Sequence, residues 1–115
     1  MMKEIKAIIQ PFRLDAVIDA LRQHPELPGV TISEVVGFGK QQAVGTPDGQ
    51  RVYVGAQAFA RKTKVETVVH DEFVDSVVEL IARAAHTGSP GDGVIFVYDV
   101  RDKHRIRDAV GTGQA

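Results

Sequence analysis

Alternating apolar and polar residues predict four strands along the chain. The alternation runs from Lys3 to Ile9 and from Val30 to Phe38, which is typical of strands that bury one face. Lys64–Val69 and Val94–Val100 are rich in β-branched residues and are predicted to be the third and fourth strands. Residues 39–61 show no such period and contain the turn-forming run GTPDGQ, so a long loop is predicted there.

Two amphipathic stripes predict helices between these strands. After Pro11, apolar residues recur at helical spacing from Leu14 to Leu21. A second stripe runs from Phe73 to Ala85, and Asp71 before it is the predicted N-cap. The element order is strand, helix, strand, long loop, strand, helix, strand. That order indicates an α+β fold of ferredoxin-like type, with both helices on one face of an antiparallel four-stranded sheet.

The last predicted strand is apolar on both faces. Val94, Phe96 and Tyr98 lie on one face, and Ile95 and Val97 lie on the other. One layer of helices can cover only one of these faces. The sequence therefore predicts that the chain self-associates to bury the second face.

Length and composition indicate a single cytoplasmic domain that spans residues 1–115. With 14 basic and 15 acidic residues, the chain has no overall charge that would favour nucleic acid. It has no cysteine, which fits a reducing compartment, and no apolar run approaches the length of a membrane span. The four histidines lack metal-ligand spacing, and no catalytic arrangement stands out, so we expect neither a metal site built by the protein alone nor an enzyme.

A glycine-rich loop, about residues 86–93, precedes the last strand in the run HTGSPGDGVIFVYDV. A Walker loop is excluded because a helix precedes this loop instead of following it, and the Gly-Lys-Ser/Thr run is absent. Two interpretations remain. The loop amides could form a nest for an anion. Alternatively, Gly88 could end the helix, with a tight turn at Gly91–Gly93 that Asp92 caps, and the loop by itself favours this second interpretation.

Basic residues elsewhere in the chain favour an anionic ligand. Arg105 and Arg107 are spaced to lie on one side of an extended segment, where they suit a polyphosphate or paired carboxylates. Residues 40–64 contain one acidic residue, Asp48, and five basic ones. These five are Lys40, Arg51, Arg61, Lys62 and Lys64.

Four motifs in this order resemble the PII signal-transduction proteins. They are KAIIQPFRLD at Lys6–Asp15, VVGFGKQ at Val35–Gln41, TGSPGDGVIFV at Thr87–Val97 and RIR at Arg105–Arg107. The likeness runs from about residue 3 to residue 107 and fails only in the long loop.

The resemblance implies a regulatory protein that forms a homotrimer with three clefts between subunits. An adenine nucleotide (ADP, AMP or ATP) would bind in each cleft against the glycine loop, which is the family's B-loop. The long loop, about residues 40–62, would be the T-loop that contacts a protein partner, either a membrane transporter or a metabolic enzyme. Residues from about 108 to 115 would be a flexible tail.

The matching motifs imply a role for each site residue. The phosphates would be lined by Gly37, Phe38, Gly39, Lys40, Gln41, Gly88, Gly91, Asp92 and Gly93. The adenine and ribose would be surrounded by Thr31, Glu66, Val68 and Thr87. Charge would come from Arg105 and Arg107 of the neighbouring subunit. Gln41 and Lys62 match positions that help to hold magnesium and an effector anion, 2-oxoglutarate or bicarbonate.

Departures from the family pattern indicate a divergent PII-like branch. Val94 and Ser89 stand where lysines are usual, so we expect a reduced preference for ATP over ADP or AMP. Ala58 falls near the place of the family's modified tyrosine, which argues against covalent nucleotidylylation. Two alternatives remain open: a weak ATPase of the same fold, and a trimeric metal-binding protein similar to the divalent-cation tolerance family.

Overall fold

The computed structural model describes residues 1–38 and 50–111. Strands and helices follow the order predicted from the sequence, with one added strand and one added helix. The elements are β1 (Met2–Ile9), α1 (Leu14–Arg22), β2 (Thr31–Gly37), β3 (Gln50–Val54), β4 (Gln57–His70), α2 (Val74–Ala85), β5 (Gly93–Val100) and α3 (Ile106–Gly111). Single 3-10 turns at Pro11–Arg13 and Asp71–Phe73 lead into α1 and α2.

The strands form one antiparallel sheet in the order β2-β4-β1-β5, and β3 pairs with the first part of β4. This confirms the predicted α+β, ferredoxin-like fold. Ile9 at the end of β1 lies opposite Thr63 on one side and Gly93 on the other. The start of β5, and the glycine loop before it, therefore lie level with the middle of β4, on the other side of β1.

Helices α1 and α2 cover the same face of the sheet. Ile5, Ala7 and Ile9 alternate along β1 and are at most 1% exposed, because every second side chain of a strand points to the same side. The helices contribute residues at helical spacing to the same core. The buried helix residues are Val17, Leu21, Val77, Ile81 and Ala85.

The opposite side of the sheet, called here the open face, carries exposed apolar side chains. Val94, Phe96 and Tyr98 of β5 are 46%, 45% and 42% exposed. The ammonium of Lys6 lies 4.9 Å from the centre of the Tyr98 ring and 5.7 Å from that of Phe96. Within the described part of the chain, no second layer packs on this face.

A β-hairpin occupies the second half of the segment predicted to be a loop. β4 begins at Gln57 and not at Lys64, and it pairs with β3 across a turn of two residues. Gly55 in this turn has φ 61°, a conformation that glycine adopts without steric cost. The prediction was wrong here because the turn-forming residues before position 50 were taken to govern the whole segment. Residues 39–49 lie outside the described residues.

The structure differs from the prediction at two further places, the start of α2 and the C-terminal segment. Asp71 does not cap α2: it opens a 3-10 turn, has no capping hydrogen bond, and lies with its carboxylate 3.6 Å from the Lys3 ammonium. At the C-terminus the structure has α3 where the start of a flexible tail was predicted. Ile106 and Val110 in this helix are 84% and 75% exposed.

Candidate functional site

Asp92 organises the glycine loop from within. Its carboxylate accepts hydrogen bonds from the backbone amide of Thr87 at 3.1 Å, from the Thr87 hydroxyl, and from the Gly88 amide at 3.4 Å. The ring atom Nδ1 of His86 lies 3.0 Å from the same carboxylate. Asp92 therefore caps the turn, as the second interpretation of the loop predicted. Gly88 does not end the helix, because α2 stops at Ala85 and the extended His86 follows it.

The hydrogen bonds of this cap lower the pKa of Asp92. The largest cause is the bond from the Thr87 hydroxyl, with smaller contributions from the backbone amides of Thr87 and Gly88 and from His86. The carboxylate therefore stays ionised at neutral pH, and the loop already holds one negative charge.

This arrangement restricts which loop amides can bind an anion. The amides of Thr87 and Gly88 donate to Asp92, and that of Ser89 donates to the Thr87 hydroxyl at 3.1 Å. Pro90 has no amide hydrogen. The residues Ser89–Asp92 form a tight turn around Pro90 and Gly91, in which the Asp92 amide faces the Ser89 carbonyl. The Gly91 amide, which has no acceptor within the described residues, is therefore the candidate donor to a phosphate.

Gly93 marks the point where the loop joins the sheet and leaves no room for a side chain. Its φ is 125°, and a Cβ atom there would lie 1.9 Å from the carbonyl oxygen of Ile8. Only glycine allows β5 to approach β1 this closely. The loop is thereby fixed to the end of β1.

The carbonyl of Gly91 accepts two hydrogen bonds from side chains outside the loop. Gln10 donates from Nε2 at 2.8 Å and Lys62 donates from Nζ at 2.9 Å. Burial lowers the pKa of Lys62, and the nearby Asp92 charge acts in the opposite direction. Lys62 was expected at this site. Gln10 was missed, although its position directly after the alternating strand and before Pro11 was a signal that could have found it.

A second group of expected residues meets on the open face at the β2–β4 pair. Thr31 lies opposite Glu66, and both line a cavity of about 240 Å³ together with Val68. Glu4 of β1 lines this cavity too and was not expected. Burial raises the pKa of Glu4, and the neighbouring Glu66 carboxyl raises it further, while Lys6 and Lys64 lower it.

The expected site residues therefore form two groups on one chain. Lys62 and Glu66 are four positions apart on β4, or roughly 13 Å at the rise of a strand. Thr87, which was expected around the adenine and ribose, lies in the loop and bonds to Asp92. The two groups therefore lie apart on one copy of the chain.

The remaining expected residues lie at the edges of the described structure. Gly37 ends β2, and Phe38 after it is 73% exposed, with its ring 5.9 Å from that of Phe59. The arginine pair is not in an extended segment: Arg107 belongs to α3, and the carbonyl of Arg105 accepts the first bond of that helix from Ala109 at 2.9 Å. Arg105 therefore directly precedes α3, and Arg107 lies in its first turn. Gly39, Lys40 and Gln41 lie outside the described residues.

No group of three metal-ligating side chains occurs in residues 1–38 and 50–111. In those same ranges, no helix has the length and apolar character needed to cross a membrane.

Comparison with known proteins identifies the family. A family profile described as Nitrogen regulatory protein P-II matches residues 2–110. The chain belongs to the P-II family. It is therefore a member of a family of regulatory, signal-transducing proteins, as the four motifs predicted.

Individual P-II proteins match along nearly the whole chain. Nitrogen regulatory protein P-II of Rhodospirillum rubrum is 42% identical over 117 aligned positions, covering 99% of both chains. Nitrogen regulatory protein P-II 1 of Escherichia coli strain K12 is 46% identical over 109 positions, covering 92% of each. The crystal structure of Arabidopsis thaliana PII bound to citrate has a TM-score of 0.71 and 36% identity, and the match covers 92% of this chain and 81% of that one.

Proposed function

We propose that the chain senses adenine nucleotides as a homotrimer in the cytoplasm and controls a protein partner through its T-loop, about residues 40–62. The partner would be a membrane transporter or a metabolic enzyme. The observation that carries this proposal is the separation of the site residues into two groups on one chain. We infer that the loop group at Gly91 and Lys62 and the β-strand group at Thr31 and Glu66 surround one ligand as contributions from different copies of the chain.

The loop group suits the phosphates of a nucleotide. The Gly91 amide is the candidate donor, and Lys62 lies 2.9 Å from the Gly91 carbonyl, within reach of an anion bound there. The hydrogen bonds that Asp92 accepts from the Thr87 amide, the Thr87 hydroxyl and the Gly88 amide hold the loop in one shape before a ligand binds. A preformed loop lowers the entropic cost of binding.

The β-strand group suits the adenosine end of the ligand. Thr31, Glu66 and Val68 line a cavity that combines polar and apolar side chains. Carboxylate and hydroxyl oxygens can accept hydrogen bonds from the adenine amino group and the ribose hydroxyls. In a trimer, this cavity of one copy would lie beside the glycine loop of the next, and Arg105 and Arg107 would add positive charge to the phosphates.

A small carboxylate anion is the proposed second ligand. The Arabidopsis thaliana relative has been solved with citrate bound. In this chain, Lys62 is the described cation beside the loop, and Gln41 is the partner that the family motif assigns to it. We propose that 2-oxoglutarate or bicarbonate binds there, together with Mg²⁺ carried in by a nucleotide.

The nucleotide preference is the sharpest test of this function. Val94 stands where the family has a lysine and lies on the open face at the start of β5, 46% exposed. A charge-assisted hydrogen bond to phosphate contributes roughly 1.5–3 kcal/mol, and each 1.4 kcal/mol is about tenfold in affinity. We therefore expect ATP to bind no more than about tenfold tighter than ADP or AMP, and Val94→Lys to strengthen ATP selectively.

The experiment is calorimetric titration of ATP, ADP and AMP into the wild type, Val94→Lys and Arg105→Ala. Arg105→Ala should weaken all three nucleotides, because its charge serves the phosphates whichever nucleotide is bound. A wild type that binds none of the three would reject the nucleotide-sensing function. Strong ATP selectivity that Val94→Lys leaves unchanged would reject the role given to Val94.

A further inference from the structure

The Gly91 carbonyl is held by two donors of different chemistry. Gln10 contributes a neutral amide at 2.8 Å, and Lys62 contributes a charged ammonium at 2.9 Å. These two contacts join the glycine loop to β1 and to β4. They differ in burial and in the alternatives open to each donor, so their roles differ as well.

Gln10 is the fixed contact. Its side chain is 1% exposed, and the backbone carbonyl of the same residue accepts the Arg13 amide at 3.0 Å, which ties Gln10 into the turn before α1. Its Oε1 atom is buried and has no hydrogen-bond partner in the described part of the chain. A buried acceptor without a partner is unfavourable, and an apolar side chain of the same length would avoid it. The bond to Gly91 is therefore the feature that accounts for a glutamine at this position.

The hydrogen bond from Lys62 to the Gly91 carbonyl is the contact that can be exchanged for another. Burial disfavours the charged form of its ammonium and lowers its pKa, and the nearby Asp92 charge opposes this effect only in part. Its hydrogen bond to the Gly91 carbonyl is to a dipole and not to a charge. An anion would satisfy this charge better than a carbonyl does. The flexible four-carbon stem of lysine allows the ammonium to reorient without movement of β4.

We propose that Gln10 is the positioning residue that holds the glycine loop at Gly91, and that Lys62 rests on the same carbonyl only until an anionic ligand takes it. The second half of this proposal rests on the proposed function, because the anion is the ligand of that function. Gln10 then keeps the Gly91 amide in place while Lys62 changes partner.

A matched pair of substitutions tests the first half without any ligand. Gln10→Met and Lys62→Met each replace a donor with the same unbranched apolar side chain. Hydrogen exchange of residues 87–92 is measured by mass spectrometry on the full chain, with thermal unfolding beside it. We expect Gln10→Met to speed loop exchange by up to about tenfold. The unfolding midpoint should hold or rise, because the unpartnered oxygen is removed as well.

The same measurement gives the outcomes that decide on Gln10. Lys62→Met should leave loop exchange within about twofold of the wild type. Gln10→Leu also removes the donor and keeps an apolar side chain of similar volume, so it should loosen the loop as Gln10→Met does. Unchanged exchange in both glutamine variants, or a larger effect of Lys62→Met, would overturn the proposal. Loosening that comes with a general loss of stability in both glutamine variants would also overturn it, because Gln10 would then be merely structural.

Titration with inorganic triphosphate, and separately with ATP, tests the release of Lys62. We expect Lys62→Met to weaken triphosphate about tenfold while loop exchange in the saturated wild type stays as slow as without ligand. Equal triphosphate affinity of the wild type and Lys62→Met would overturn the release of Lys62. A wild type that binds neither triphosphate nor ATP would reject the proposed function and the release together, and the ligand-free comparison would still decide on Gln10.

Discussion

The Asp92 carboxylate is an anion within the glycine loop, and it accepts hydrogen bonds from amides of the same loop. Because its carboxylate occupies the amides of Thr87 and Gly88, a bound phosphate cannot use them. Its negative charge also opposes that of a nucleotide. The positive charge that a nucleotide needs must therefore come from side chains outside the loop, such as Lys62, which is within hydrogen-bond distance of the loop already.

Replacing Asp92 by asparagine is expected to loosen the loop. Asparagine keeps one acceptor oxygen but loses the charge and the second oxygen, so it cannot hold the Thr87 and Gly88 amides together. Hydrogen exchange at residues 87–89 should accelerate by about tenfold or more. Asp19→Asn on the exposed side of α1 is the control and should leave loop exchange unchanged. Slow loop exchange in Asp92→Asn would contradict the capping role.

The lowered pKa of Asp92 predicts how this effect depends on pH. A carboxyl group whose pKa is lower in the folded state stabilises that state above its unfolded pKa, and the contribution disappears as the pH falls through the folded value. The stability difference between the wild type and Asp92→Asn should therefore be largest at neutral pH and shrink in acid. Thermal unfolding at several pH values measures it. A difference that grows in acid would contradict the direction of the shift.

Glu4 should behave in the opposite way. Its pKa is raised by burial and by Glu66, so ionising Glu4 costs the folded state free energy above its unfolded pKa. Glu4→Gln removes that cost and should raise the unfolding midpoint at neutral pH, with the gain vanishing at a pH below the unfolded pKa. Glu72→Gln, on the exposed turn before α2, is the control. A lower midpoint for Glu4→Gln at neutral pH would show that the ionised carboxylate is needed for stability.

Residue contacts were predictable from the sequence only where they are local. Asp92 caps residues four and five positions before it, so turn chemistry was enough to suggest its role. The bond between Gln10 and Gly91 joins residues 81 positions apart, and it depends on the register of β1 against β5. Glu4 and Glu66 meet through the register of β1 against β4. Alternation alone does not fix a register, so the sequence could mark Gln10 by its position but could not predict the partner of Gln10 or of Glu4.

At the scale of elements, Gly93 is the join between the glycine loop and the sheet. Gly93→Ala would place a methyl group against the Ile8 carbonyl and force an unfavourable positive φ. We expect a loss of roughly 1–3 kcal/mol in the free energy of unfolding. Gly37→Ala is the matched control, because a Cβ at Gly37 would meet no atom within 4 Å. Chemical denaturation of both variants measures the difference, and equal stabilities would contradict the close approach of β5 to β1.

The elements themselves were predicted where one period dominates a segment. β1, α1, α2 and β5 each show a clear apolar period and were found near their predicted bounds. β3 and the first half of β4 were missed because only Val52 and Val54 alternate in β3 and small residues dilute the pattern at the start of β4. Such a hairpin depends on its turn at Gly55 and on pairing with its partner strand more than on burial.

At the scale of the whole molecule, the open face is the surface by which we expect copies to associate. Phe96→Asp would place a carboxylate on that face beside Lys6, which a single copy can accommodate. In the proposed trimer it would put three charges into an apolar contact, and this should shift the mass in light scattering from trimer to monomer. Phe12→Asp is the matched control, since Phe12 is similarly exposed at 53% but lies in the turn before α1. A trimer that survives Phe96→Asp would place the interface elsewhere.

β4 is one uninterrupted strand of 14 residues that runs from the hairpin turn to the centre of the sheet. Its first residues pair with β3, and Lys62 in its middle donates a hydrogen bond to the Gly91 carbonyl of the glycine loop. Glu66 and Val68 line the open-face cavity four and six positions further along. In the proposed function, a partner that binds the hairpin would therefore contact the same strand that carries residues of both ligand-binding groups. A change in the position of this strand would then alter the partner surface and the ligand site together.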